Sequence, residues 1–193
     1  MKYTKIPLDT FQRIALNAGI MLYDFDPANP PTDATLYENL IGATTGGLSG
    51  SAVPSFSDLG EDIDNCPKNT MELKHLDSWE CTMSGTFVTM DASGAKFMLA
   101  AADISEDGTQ VVLRNYLATD NSDFVDVWWV GDYTQGNGFV AIHMINALCT
   151  GGLSIATTDQ GKTTAAFELS GHYSITNQDT VPFECYIIED ESE

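Results

Sequence analysis

Hydrophobic and polar residues along this chain alternate with period two far more often than they recur at helical spacing. From Trp79, the series Trp79, Cys81, Met83, Gly85 and Phe87 takes one phase and Glu80, Thr82, Ser84 and Thr86 the other, the signature of a strand with one apolar and one wet side. Thr163, Ala165, Phe167, Leu169, Gly171, Tyr173 and Ile175 alternate in the same way with Lys162, Thr164, Ala166, Glu168, Ser170, His172 and Ser174. This is the longest strand the pattern predicts. Further strands are expected at Ala18 to Phe25, Ser51 to Ser57, Gln110 to Ala118, Val125 to Val130, Val140 to Ala147 and Phe183 to Ile188, each bounded by Gly, Pro, Asn or Asp. The expectation is a mainly β chain: an antiparallel sandwich or barrel forming a single domain over residues 1–193.

Two stretches depart from that rule. Asp91 to Asp103 is Ala-rich, opens on an aspartate suited to capping, and carries Phe97, Met98, Ala101 and Ala102 as an apolar stripe. One flanking helix is predicted there. Ile41 to Asp77 combines Gly42, Gly46, Gly47 and Gly50 with Pro54, Pro67 and the acidic group Asp58, Glu61, Asp62 and Asp64. Only Ser51 to Ser57 within it reads as strand, so the rest is expected to project as a long loop or hairpin arm. Connections longer than about 12 to 15 residues in a compact domain are commonly functional or disordered, and Phe56, Leu59, Ile63, Met71 and Leu73 suit this one to docking.

Charge narrows the function. There are 28 acidic against 8 basic residues, for a net charge of −20. DNA binders draw much of their affinity from Lys and Arg on phosphate, so duplex DNA and anionic lipid are poor ligands for contact binding, whereas repulsion of nucleic acid stays open. From Phe97 onward Arg114 and Lys162 face 15 carboxylates. Glu189 to Glu193 reads as a hydrated acidic tail. Asp9, Arg13, Asn17 and Gly19 break the apolar stretch after Lys2 and Lys5, so no signal-peptide core is expected, and no run approaches the roughly 18 apolar residues of a membrane span. Cys66, Cys81, Cys149 and Cys185 are widely spaced and read as reduced thiols, with Cys81 and Cys185 in the apolar phase of their strands.

Motifs for chemistry fail on context. Gly42 to Ser49 has the glycines of a phosphate loop, but Leu48 stands where its lysine belongs. Gly136 to Ala141 fits a loose dinucleotide fingerprint, yet the residues that follow are β-rich and no βαβ repeat exists. His75, His143 and His172 lack metal-site spacing, and the Asp58 to Asp64 group lacks the glycine of a calcium loop. No enzyme, metal or cofactor is expected. Trp128 and Trp129 are adjacent in a strand and must point to opposite faces.

Taken in order, several segments resemble the major tail protein, or tail tube protein, of long-tailed bacteriophages. They are Asp9 to Ala15, Asn17 to Ile20, Phe25-Asp-Pro27, Ile41-Gly-Ala-Thr44, Phe56 to Asp64, Leu76 to Thr86, the Ala-rich helix, Phe167 to Tyr173 and Val181-Pro-Phe183. The resemblance implies a structural virion protein: hexameric rings stacked into a tube through which the genome passes, made in the host cytoplasm. Its partners would be copies of itself, the proteins at the tube ends and a length-ruler protein. It further implies inter-ring contacts through residues 1–11 and the arm 41–77, with Phe56, Leu59, Ile63 and Leu73 as apolar anchors. Polar strand faces would line the channel through Glu80, Thr82, Ser84 and Thr86, and through Thr164, Glu168, Ser170 and His172. Glu193 follows soon after the last strand, so no immunoglobulin-like decoration domain is expected. The alternatives are a stand-alone β-sandwich binding module, carbohydrate-recognising through a surface Trp, and a tube subunit of a contractile tail or type VI secretion apparatus.

Overall fold

The computed structural model describes residues 5–7, 10, 14, 18–31, 33–133 and 138–189. Much of the expected 1–11 segment, most of Asp9 to Ala15, Gly136 and the acidic tail beyond Glu189 lie outside the described residues. In chain order the elements are β1 (Ile20–Leu22), α1 (Asp33–Glu38), β2 (Ser49–Asp58), a 3-10 turn (Met71–Leu73) and β3 (Lys74–Phe87). They continue with α2 (Ala92–Leu99), β4 (Ala102–Ile104), β5 (Val111–Leu113), β6 (Val125–Asp132), β7 (Gly138–Cys149), β8 (Ser154–Ala156), β9 (Thr164–Gly171) and β10 (Phe183–Glu189).

Eight strands form one antiparallel sheet in the order β1-β6-β7-β9-β3-β2, with β10 added to β7 and β8 to β9. β4 and β5 form a separate hairpin. β7 serves two strands in succession: β10 lies against Gly138 to Met144 and β9 against Ala147 to Cys149. The break falls at Asn146, whose φ is 49° and whose amide donates to Asp126 Oδ1 at 2.9 Å. A bulge there shifts the side-chain phase by one, so Met144 before it and Ala147 and Cys149 after it all enter the same core.

That main core joins Met21, Met83, Phe87, Met98, Val127, Met144, Phe167 and Leu169 beneath α2. Phe87 and Phe167 stack at 4.4 Å within it. A smaller cluster of Leu22, Phe25, Trp128 and Ala141 is covered by Leu36 and Leu40, around α1. Trp128 belongs to the second cluster and Trp129 packs on the first, so the adjacent indoles serve opposite faces.

The predicted helix is shorter than its pattern. Asp91 caps it, its carboxylate accepting from Gly94 N at 2.6 Å. It ends at Ala100, whose φ of 55° leaves the right-handed region. Ala101 and Ala102 therefore belong to the β4 entry, where Ala102 is fully buried. The strand expected over Gln110 to Ala118 is confined to Val111–Leu113, because Arg114 turns inward to an ion pair with Asp123. Cys185, expected in an apolar phase, is exposed, whereas Cys149 is buried; β10 is flanked only by β7, and its outward positions Cys185 and Ile187 meet no second layer.

Candidate functional site: the hairpin arm and the polar sheet face

β3 runs for 14 residues and changes character along its length. Cys81, Met83 and Phe87 are buried, while Lys74 to Ser78 are exposed on both phases. β2 follows it throughout, from Ser49 opposite Ser84 to Asp58 opposite Lys74. The region expected as a loop or arm is therefore a two-stranded hairpin that leaves the body of the sheet beyond Trp79. A bulge between Ser55 and Phe56 twists it at that point, and Ser57 Oγ donates to Asp77 Oδ1 at 2.8 Å.

The tip, residues 59–73, is organised by its own backbone. The Asp58 carboxylate accepts from Asn69 N at 2.8 Å and from Gly60 N at 3.0 Å; these two bonds hold its carboxyl below the ordinary value. Leu59 N donates to Leu73 O at 3.0 Å, and Thr70 Oγ1 to Pro67 O at 2.7 Å. A Cβ on Gly60 would lie 2.8 Å from both Cys66 Sγ and Leu73 Cδ1, so these two side chains pack directly over the glycine. Local hydrogen bonds thus fix the backbone while the apolar side chains remain outside. Phe56 is 51% exposed, Leu59 61%, Ile63 52% and Met71 80%. Of the four expected anchors, Leu73 alone is turned inward, half-buried against Gly60. Lys74 Nζ sits 5.9 Å from the Phe56 ring centre.

The second feature is the polar phase of the same strand. Thr82 lies opposite Ser170, Ser84 opposite Glu168 and Thr86 opposite Ala166; on the other side Ser51 faces Thr82, and Val53 faces Glu80. Residues directly opposite share one face of a sheet. Glu80, Thr82, Ser84, Thr86, Glu168 and Ser170 are thereby brought together, and Thr164 continues the phase along β9. Thr150 Oγ1 and Ser170 Oγ share a hydrogen bond of 2.9 Å. His172 is drawn away: it is half-buried, with Nδ1 3.2 Å from Asn146 O and its ring edge-on to Phe124 at 5.2 Å. No Lys or Arg occurs between Trp79 and Phe87, in β2 or in β9, so this face carries the carboxylates of Glu80 and Glu168 without cations of its own.

Two charged clusters escaped the sequence reading because their members meet only in the fold. Arg114 pairs with Asp123 and, through Nε, with Asp103 at 3.1 Å. Burial works against the charge on Asp123, but the guanidinium and the Ala118 amide, 2.7 Å from Oδ2, outweigh it and hold its carboxyl below the ordinary value. His143 stacks on Trp128 at 3.9 Å, with Nδ1 3.2 Å from Glu184 Oε2 and Nε2 3.7 Å from Asp126 Oδ2. The Tyr186 hydroxyl donates to the same Glu184 oxygen at 2.8 Å; that bond first, then His143, lowers the Glu184 carboxyl.

Among the described residues no group of three or more His, Cys, Asp or Glu could hold a metal ion. After Gly46 and Gly47 the chain enters strand β2 at Ser49, not the helix a phosphate loop requires. Gly138 to Ala141 likewise open a strand. No helix among the described residues is long and apolar enough to cross a membrane.

No protein-family model matches the chain, and no curated protein matches it. Among solved structures it is similar to a chain in the virion of a native gene transfer agent particle, at 10% identity and a TM-score of 0.43, over 83% of this chain and 96% of that one. It is similar to a chain in the tail of an empty gene transfer agent particle, refined with helical C6 symmetry, at 11% identity and a TM-score of 0.38, over 83% and 96%. It is also similar to the SPP1 tail tube, determined by solid-state NMR and cryo-EM, at 13% identity and a TM-score of 0.42, over 81% and 75%.

Proposed function

We propose that this chain is the repeating subunit of a phage tail tube: a structural protein that closes into hexameric rings, which stack into an acidic-walled conduit for the genome. One observation carries the reading. The hairpin β2–β3 joins an arm of uncovered apolar side chains to a polar sheet face without cations, and β2 is the free edge of that sheet.

Each part has a physical use in a tube. A ten-residue edge strand left unpaired is a template for pairing with another chain, and closing a ring of copies removes the edge. In such a ring the face of Glu80, Thr82, Ser84, Thr86, Thr164, Glu168 and Ser170 lines the bore. Duplex DNA carries one negative charge per roughly 1.7 Å of axis; a wall offering carboxylates and hydroxyls gives its phosphates no counter-charge, so the duplex passes without adhering. Phe56, Leu59 and Ile63 then bridge to the next ring. Their burial works against the mutual repulsion of subunits of charge −20, a repulsion that salt screens over about 10 Å at 0.1 M. The order of sequence motifs shared with tail tube proteins supports the same reading.

The test is assembly. Purified protein, concentrated and brought to raised salt, is expected to give rings and tubes by negative-stain microscopy and a matching shift in sedimentation. A strictly monomeric protein under every ionic condition overturns the proposal, as does a tube whose inner wall is cationic.

A further inference from the structure

The direction of each peptide group along β2 follows from its neighbours. Thr45 N donates to Thr86 O at 2.9 Å and Val88 N to Ala43 O at 2.8 Å, so this phase of β3 turns its backbone towards the β2 side. Trp79, in the other phase, sends its N–H the opposite way, to the Tyr173 hydroxyl at 3.0 Å. Peptide groups of an antiparallel strand alternate in direction residue by residue, and the register of β2 on β3 is continuous from Ser49 to Ser55. Ser49, Ser51 and Val53, opposite Ser84, Thr82 and Glu80, therefore bond to β3, whereas Gly50, Ala52 and Pro54 direct their groups off the free edge of the sheet. Pro54 fits that phase, because an outward position is where a missing N–H breaks no ladder bond.

Sheet edges of proteins that stay apart are blunted by proline, a bulge, charge, shortness or a covering segment. In β2 such devices are confined to the far half: Pro54, the bulge after Ser55, and Asp58 opposite Lys74. Other edges are blunted as well. Residues 39–41 cover β1, with Tyr23 N on Asn39 O at 2.9 Å and Ile41 N on Met21 O at 3.0 Å; β8 is three residues long, and β10 carries Glu184 and Glu189. Ser49-Gly-Ser-Ala-Val53 has none of these protections. It is uncharged and holds no side chain larger than valine, so a second backbone can come close. Neither the Gly50 nor the Ala52 amide has a hydrogen-bond partner among the described residues. Strand addition takes its sequence specificity from pockets for alternate side chains; a run of such small residues builds none, which suits a partner held in register by symmetry better than a foreign peptide.

We infer that Ser49 to Val53 is the segment through which β2 pairs with a sheet edge of a second copy of this chain, the Gly50 and Ala52 amides donating across the boundary and Pro54 ending the shared ladder. The inference rests on the tube reading and narrows ring closure to five residues, leaving the strand beyond Pro54 to the arm.

Hydrogen exchange of the full, unmodified chain tests it, read residue by residue by NMR after exchanged protein is dissolved in a quenching solvent. In the monomer, Ser51 and Val53 should exchange slowly and Gly50 and Ala52 fast. In tubes grown from pure protein all four should be slow, with Gly50 and Ala52 slowed by on the order of a hundredfold or more. Tubes in which Gly50 and Ala52 exchange as fast as in the monomer overturn this inference and leave the tube reading standing. Failure of the protein to assemble at all overturns both.

Proline substitution gives an independent readout. Ala52→Pro deletes an outward N–H only, so the monomer should fold, by circular dichroism and urea midpoint, while the concentration needed for ring formation rises by on the order of tenfold or more. Ser51→Pro deletes an inward N–H and should lower the urea midpoint itself. A folded Ala52→Pro protein that assembles at the unmodified concentration refutes the assignment; if the proline unfolds the chain, the exchange pattern of the unmodified protein decides.

Discussion

The Tyr173 hydroxyl accepts the backbone N–H of Trp79 at 3.0 Å, across 94 residues of sequence. Thr82 lies opposite Ser170, so continuing that register would set Tyr173 opposite Trp79, but β9 stops at Gly171 and the phenol takes up the amide where a strand would have. Trp79 is also where the hairpin leaves the body of the sheet. Tyr173→Phe is expected to cost only about 0.5–1.5 kcal/mol in global stability by urea denaturation, because the ring remains and the site is partly wet. Hydrogen exchange should rise selectively over residues 74–79. Exchange that rises equally throughout β3 would show that the bond does not brace the arm.

That early stop of β9 shows where alternation ceases to be informative. The apolar and polar phases run on through Tyr173 and Ile175 in the sequence, and nothing in them marks an end. Two tertiary contacts end the strand: Gly171 lies so close to Pro182 that a Cβ would meet its carbonyl oxygen at 2.8 Å, and Asn146 Nδ2 donates to His172 O at 3.2 Å. Where packing agrees with the period, the pattern reads directly; Cys81, Met83, Phe87, Phe167 and Leu169 are all buried as their phase requires. The arm was legible as a polar, Gly-rich insertion with apolar residues aboard. Its pairing was not, because Lys74 to Ser78 belong to a strand with no buried side and so leave no alternation to find. Six-residue α1 was missed for a related reason: among its described side chains, Leu36 is the one that packs on a core cluster.

Leu169 and Glu168 are neighbours on β9 with opposite surroundings, the first fully buried and the second exposed. Leu169→Ala should cost about 2–5 kcal/mol, from lost burial and the cavity left behind. Glu168→Gln should stay within about 0.5 kcal/mol. Both values come from urea midpoints at constant slope. Similar costs at the two positions would mean that the faces of the sheet are misassigned.

Asp123 makes stability depend on acid. Its carboxyl is held low in the folded protein, so its stabilising contribution is present above the ordinary aspartate value, roughly pH 4, and is lost as pH falls through the lower folded value. Asp123→Asn should lower the urea midpoint at pH 7, and the gap between variant and unmodified protein should close as pH falls towards 3. A constant gap across that range would mean that the ion pair with Arg114 contributes nothing.

Reversing charge on the polar face tests its proposed place in the bore. Glu80→Lys with Glu168→Lys leaves the core untouched and should permit folding and assembly. The resulting tubes are expected to retain duplex DNA at low salt and to release it as salt rises, as counterion release demands, while unmodified tubes retain none. Equal DNA retention by both would place these residues outside the channel.

The arm can be removed without opening the fold. Its tip is closed by its own hydrogen bonds, from Gly60 and Asn69 to the Asp58 carboxylate and from Leu59 to Leu73, and neither core cluster contains a residue from 59–73. Joining Asp58 to Lys74, which already face each other across the hairpin, through an Asn-Gly pair replaces the tip with a two-residue turn that favours the strand twist. The shortened protein should keep its urea midpoint within about 1 kcal/mol of stability yet remain in short species when concentrated in salt. If ring closure uses the β2 edge and stacking uses the arm, as proposed, single rings persist while tubes disappear. Normal tubes from the tipless protein would sever the arm from stacking altogether.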